Sequence, residues 1–131
     1  MARLTERCEV AARALALLEE LAAKSPLSRI ERDAAIQRFE YTFESVWKAA
    51  QLYLQEIEGV QVGSPKQAAR TSLQVGLLDE IETRNALRMT DDRNQTVHTY
   101  NEKLAEDIAS RLPDHAKLLR VWLERISSRS T

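Results

Sequence analysis

Apolar residues recur along the chain at steps of three and four, the spacing that lines up one face of a helix. Leu4, Cys8, Ala11, Leu15, Leu18 and Ala22, with Arg, Glu and Lys between them, predict a first amphipathic helix over about residues 2–24. Pro26 interrupts it, and Ser28-Arg29-Ile30-Glu31 has the S-x-x-E form in which two side chains satisfy the orphan amides of a helix start. A second helix opens there, carried by Ala35, Phe39, Phe43, Val46, Ala50, Tyr53 and Ile57 to about Glu58, where Gly59 supplies a left-handed stop. Ser64 as N-cap, Pro65 at the first helical position and Gln67 as a second capping box predict a short third helix ending at Gly76.

A fourth helix opens near Asp79 and carries Ile81, Arg84, Leu87 and Arg88 toward Arg93, with an end the pattern leaves open. The fifth begins around Asn101 with Leu104, Ile108 and Leu112 on one face. Pro113 then either kinks it or starts a last segment holding Leu118, Leu119, Trp122 and Ile126. Residues 127–131 read as a frayed tail. Helices joined by short loops predict an all-α fold, an antiparallel four-helix-type bundle with an additional short helix, in one domain over residues 1–126.

Composition agrees. Three Gly and three Pro leave little turn chemistry for a many-stranded fold. The 19 basic and 20 acidic residues are interspersed, so no global field draws the protein onto nucleic acid or an anionic membrane, and any RNA contact must be local. A lone cysteine, Cys8, forms no internal disulfide and sits on the first helix's apolar stripe, where a buried hydrophobe is expected. No stretch approaches the ~20 apolar residues that span a bilayer, and the N-terminus lacks a signal peptide's apolar run, so a cytoplasmic protein is expected.

One cysteine and two histidines far apart, without H-E-x-x-H or C-x-x-C spacing, predict no metal site, and the absence of phosphate-cradling glycine loops predicts no cofactor. What remains is the run Asp92-Arg93-Asn94-Gln95-Thr96-Val97-His98-Thr99-Tyr100, which supplies a permanent cation, an imidazole and a phenol. At about 100° per residue, Asn94 and His98 share a face of a straight helix, whereas Arg93 and His98 point about 140° apart. For both to serve one ligand the backbone must bend near Val97, Arg93 must reach around, or a second chain must complete the site. The plainer alternative pairs Arg93 with Asp91 or a neighbouring acid and leaves His98 and Tyr100 to packing or capping.

Arg93 to Tyr100 resembles R-x4-H-x-Y, the signature of the HepT-like branch of the HEPN superfamily. Gln37-Arg38-Phe39-Glu40-Tyr41-Thr42-Phe43-Glu44-Ser45-Val46-Trp47-Lys48 is similar to the R-F-E-x-T-F-E-x-x-W-K helix of proteins usually called nucleotidyltransferase substrate-binding subunits, and Ser64-Pro65-Lys66 and Gly76-Leu77 resemble the segments that follow in that family. The similarity covers about residues 5–126.

The resemblance implies a homodimer with the motif of each chain lining an interface cleft, and a partner, a small nucleotidyltransferase of minimal polymerase-β-like fold. It implies a toxin–antitoxin pair in which this chain is a metal-independent endoribonuclease, silenced by transfer of adenylate to Tyr100. In that chemistry His98 acts as general base or acid while the RNA 2′-hydroxyl attacks, and Arg93 stabilises charge on the phosphoryl oxygens. Asn94 and Tyr100 assist. The alternative, from a different class, is a non-catalytic subunit that binds nucleotide or presents a substrate to the nucleotidyltransferase.

Arg84 and Arg88, one turn apart, either extend a basic track for an RNA backbone or pair with Glu80 and Asp92. Glu40 and Glu44 either order Arg93 or serve structure, Glu44 with Lys48. Phe39, Phe43, Trp47, Tyr53 and Trp122 are expected in the core or at a dimer contact, and His115, beyond Pro113 and beside Asp114, in solvent.

Overall fold

The computed structural model describes residues 2–130 and consists of five α-helices and one 3-10 turn, with no strand among those residues. α1 spans Ala2–Ala22, α2 Arg29–Glu56, α3 Pro65–Gln74, α4 Glu80–Gln95 and α5 Glu102–Arg129, with the 3-10 turn Thr96–His98 between α4 and α5.

Local chemistry sets the boundaries. At the start of α2 the Ser28 hydroxyl accepts from Glu31 N at 3.1 Å while Ser28 N donates back to the Glu31 carboxylate at 2.9 Å. Asp79 and Glu82 form the same reciprocal pair at the start of α4. At α3 the Ser64 hydroxyl caps Gln67 N, but the Gln67 side chain reaches past Ser64 to accept from Gly63 N at 2.7 Å, so the expected box closes one residue further back. Gly59 and Gly76 adopt φ of 71° and 75°, the left-handed region that ends a helix without a Cβ clash.

α1, α2 and α5 pack against one another, and α3 and α4 pack together over α2 and α5. Every apolar stripe residue named for α1 is fully buried or nearly so except Ala22, and of those named for the second helix only Ile57, its C-cap, escapes burial. Phe39, Phe43, Trp47, Tyr53 and Trp122 all lie in the core. The fourth helix differs from expectation: Ile81 is exposed, and the buried face carries Thr83, Ala86, Met89 and Thr90. Small and hydroxylated side chains lower the apolar contrast along α4, so its stripe is faint in the sequence.

Pro113 neither ends nor restarts α5, which runs unbroken through it. A mid-helix proline costs about 3 kcal/mol through one lost amide and a clash with the preceding turn. Burial of Ile108 and Leu112 before it and Ala116, Leu119 and Trp122 after it offsets that cost, at roughly 1.5–3 kcal/mol for each large side chain. The helix also extends through 127–129, the segment expected to fray, and Arg129 donates to the carbonyls of Val75 and Gly76 at 3.1 and 2.8 Å. Arg125, one turn earlier, binds the Glu82 carboxylate and the Leu77 carbonyl. These arginines fasten the end of α5 to the α3–α4 connection. Thr131 lies outside the described residues, as does Met1.

Candidate functional site

α4 presents polar side chains toward both α2 and α5. Its end is shaped by threonines: the Thr96 hydroxyl donates to Arg93 O at 2.7 Å, and the Thr99 hydroxyl donates to Thr96 O at 2.9 Å. Hydroxyls that bond nearby carbonyls compete with the α-helical ladder, and here they hold one tight 3-10 turn before Asn101 caps α5. The bend near Val97 is therefore built from Thr96 and Thr99.

The turn faces solvent. Val97 is 72% exposed and Tyr100 82%. The Tyr100 hydroxyl lies 3.3 Å from His98 Nδ1, with the rings edge to face at 5.9 Å. Tyr100 and Thr99 line a recess of about 510 Å³ together with Asp33, Gln37 and Glu40 of α2.

Arg93 goes elsewhere. Its guanidinium binds the Glu44 carboxylate at 3.3 Å, and that same oxygen accepts from the Trp47 indole at 3.1 Å. Of the pairings offered for Arg93, the one with Glu44 is made and the one with Asp91 is not, Asp91 binding Lys66 at 2.7 Å; Glu44 does not pair with Lys48, whose ammonium lies over the Trp47 ring at 4.7 Å. Arg93 Nε is buried with no partner. Arg93 and Asn94 line a second recess of about 420 Å³ with Glu44, Trp47, Lys66 and Thr90, so the motif's arginine and its tyrosine border different depressions, successive along α2, and His98 lines neither. Asn94 shares the arginine's recess.

On the side of α4 that faces α5 the structure assembles a group that sequence reasoning missed. Asp92 accepts two hydrogen bonds from Arg111, at 2.8 and 2.9 Å, and one contact from His115 Nε2 at 2.7 Å. Burial pushes the Asp92 carboxyl upward, but the hydrogen bonds from Arg111 and His115 outweigh it and hold the carboxyl below its ordinary range. His115, expected in solvent, is buried and stacks on Phe39 at 5.3 Å with the ring planes 21° apart. The signal was present: His115 continues the stripe Ile108, Leu112, Leu119, and Arg111 and His115 are four apart on α5. Asp92 is thereby unavailable to Arg88, and Arg84 and Arg88 both remain exposed. Arg88 instead lines a cavity of about 640 Å³ between α4 and α5, larger than either motif recess.

Among the described residues no three His, Cys, Asp or Glu side chains gather in a metal-binding group, and no helix is long and apolar enough to cross a membrane.

A crystal structure of a Thermus thermophilus protein superimposes with a TM-score of 0.87 at 57% sequence identity, covering 88% of this chain and 98% of that one. A Haemophilus influenzae protein, whose structure is described as revealing the fold of a substrate binding domain of a nucleotidyltransferase, superimposes with a TM-score of 0.77 at 21% identity, over 92% of this chain and 98% of that one, and so shares the fold. No curated protein matches. Residues 6–128 match the family described as nucleotidyltransferase substrate binding protein like. The chain belongs to that family.

Proposed function

We propose that this chain is a non-catalytic subunit that binds nucleotide or presents a substrate to a separate nucleotidyltransferase, with the Arg93–Tyr100 turn as its working surface. The observation that carries this reading is the division of the motif. Arg93 is paired with Glu44 in one recess while His98 contacts Tyr100, whose ring lines another, and this separation supports a binding surface over a site that converges a general base and a phosphoryl-stabilising cation. A binding surface needs no such convergence. The exposed Val97 and Tyr100 are apolar enough to seat a partner protein.

A second reading, the HepT-like HEPN ribonuclease, is favoured by the His98–Tyr100 contact itself. If a second copy of the chain packs on this face, the Arg93 of one copy and the His98 of the other can meet across a cleft. His98 then takes the proton of the RNA 2′-hydroxyl as its oxygen bonds to the adjacent phosphorus, the 5′-oxygen of the next nucleotide leaves and takes a proton from solvent, and Arg93, released from Glu44, stabilises the phosphoryl oxygens. Tyr100 also suits adenylylation: its oxygen attacks the α-phosphorus of ATP held by the nucleotidyltransferase, pyrophosphate leaves, and His98 Nδ1, 3.3 Å from the hydroxyl, accepts the proton.

Labelled RNA incubated with the purified chain in EDTA separates the two readings. The binding-subunit reading expects intact RNA, together with nucleotide or nucleotidyltransferase binding that weakens in Arg93→Ala. Cleavage that disappears in His98→Ala, at unchanged circular dichroism, overturns it in favour of the nuclease. Mass spectrometry after incubation with the nucleotidyltransferase and ATP reads adenylate on Tyr100 directly.

A further inference from the structure

We propose that the cavity between α4 and α5 binds a small phosphomonoester that carries hydroxyl groups, a sugar phosphate or nucleoside monophosphate. Its volume of about 640 Å³ falls in the range of small-molecule pockets, roughly 300–1,000 Å³. No residue from 93 to 100 lines it, so this site goes beyond the function proposed above and does not depend on it.

The floor is preorganised. His115 lines the cavity with its side chain 9% exposed, clamped between the Phe39 ring and the Asp92 carboxylate, which Arg111 holds from the other side. Nε2 is committed to Asp92, and Nδ1 has no protein partner among the described residues. A buried imidazole with one nitrogen fixed and the other unpaired beside a cavity is a ready contact for a polar ligand.

The walls carry the charge. α4 contributes Asn85 and Arg88, and α5 contributes Asp114 and Lys117. Asp91 is held by Lys66 and Asp92 by Arg111 and His115, whereas Arg88 and Lys117 make no ion pair among the described residues. Two unpaired cations on facing helices therefore meet one unpaired acid, Asp114. A phosphate monoester, close to a dianion at neutral pH, matches the cations, and Arg and Lys are the side chains suited to it. Asp114 and Asn85 remain to receive hydroxyl donors. An RNA backbone fits less well, because its successive phosphates would pass Asp91 and Asp114, while a single terminal phosphate need not.

The test is a titration of the isotope-labelled protein with AMP and, in parallel, adenosine, followed by amide and side-chain NMR shifts. Saturable shifts at Asn85, Arg88, His115 and Lys117 are expected with AMP, with adenosine binding about tenfold more weakly or not at all. R88A/K117A should weaken AMP binding about tenfold or more while keeping the spectrum of the folded protein, since both side chains are exposed and unpaired. K103A, an exposed cation outside the cavity lining, should bind AMP as the intact chain does, and shifts at residues 93–100 report the turn separately. The proposal is overturned by the absence of saturation at millimolar AMP, by equal affinity for adenosine, by shifts confined to residues 93–100, or by an RNA lacking a terminal phosphate binding these same residues more tightly than AMP.

Discussion

Asp92 and Arg93 are neighbours in the chain and bind different helices in the structure. Arg93 turns to α2, where it is 40% exposed, joined to Glu44 at 3.3 Å and left with a buried Nε that bonds nothing. Asp92 turns to α5, where its side chain is 14% exposed and accepts three close contacts from Arg111 and His115. On the α2 side of α4 one half-exposed ion pair holds Arg93; on the α5 side two partners hold Asp92 over an aromatic floor at the base of a cavity. A residue kept half-paired at a surface is available to a partner or ligand, whereas a fully satisfied one fixes the helix it sits on. The contrast locates stability on the α5 side of α4 and adaptability on the α2 side.

The largest test of that contrast is His115→Ala. It removes a buried ring from Phe39, opens space in the core and strips Asp92 of one of its two partner residues, so a loss of about 2–4 kcal/mol is expected in chemical denaturation. A loss below about 1 kcal/mol would erase the distinction between the two sides.

Asp92→Asn follows in size, with about 1–3 kcal/mol lost at neutral pH because Arg111 and His115 then face an amide in place of a carboxylate. It also sharpens the comparison through pH. The folded carboxyl titrates below its unfolded value, so its stabilisation is present in full above the unfolded pKa, roughly 3.9, and is lost as pH falls through the lower folded value. The intact chain should therefore lose more stability than the variant between neutral pH and about pH 3, measured by denaturant midpoints.

Arg93→Ala is expected to be the smallest change, about 0–1 kcal/mol. Its ion pair with Glu44 is half in solvent, and the substitution also removes the unpartnered Nε. Equal thermal midpoints for the variant and the intact chain would leave any effect on binding to be read as function.

Much of this organisation was legible in the residues. The Ser28, Ser64 and Asp79 starts, the glycine stops and the apolar stripes of α1, α2 and α5 stand in the structure because capping and helical periodicity act within one or two turns. The stripe of α4 was faint because Thr83, Ala86 and Thr90 carry it.

What local rules could not decide was the identity of each long-range partner. Arg93 is 49 residues from Glu44, and Asp92 is 23 from His115. Which of two adjacent side chains meets which neighbouring helix depends on the rotation of α4 about its own axis. Packing against α2, α3 and α5 together sets that rotation, and no short stretch of the chain encodes it. The passage of α5 through Pro113 has the same origin: the proline's penalty is local, while the burial of Leu112, Ala116 and Leu119 that outweighs it exists only once α1 and α2 are in place.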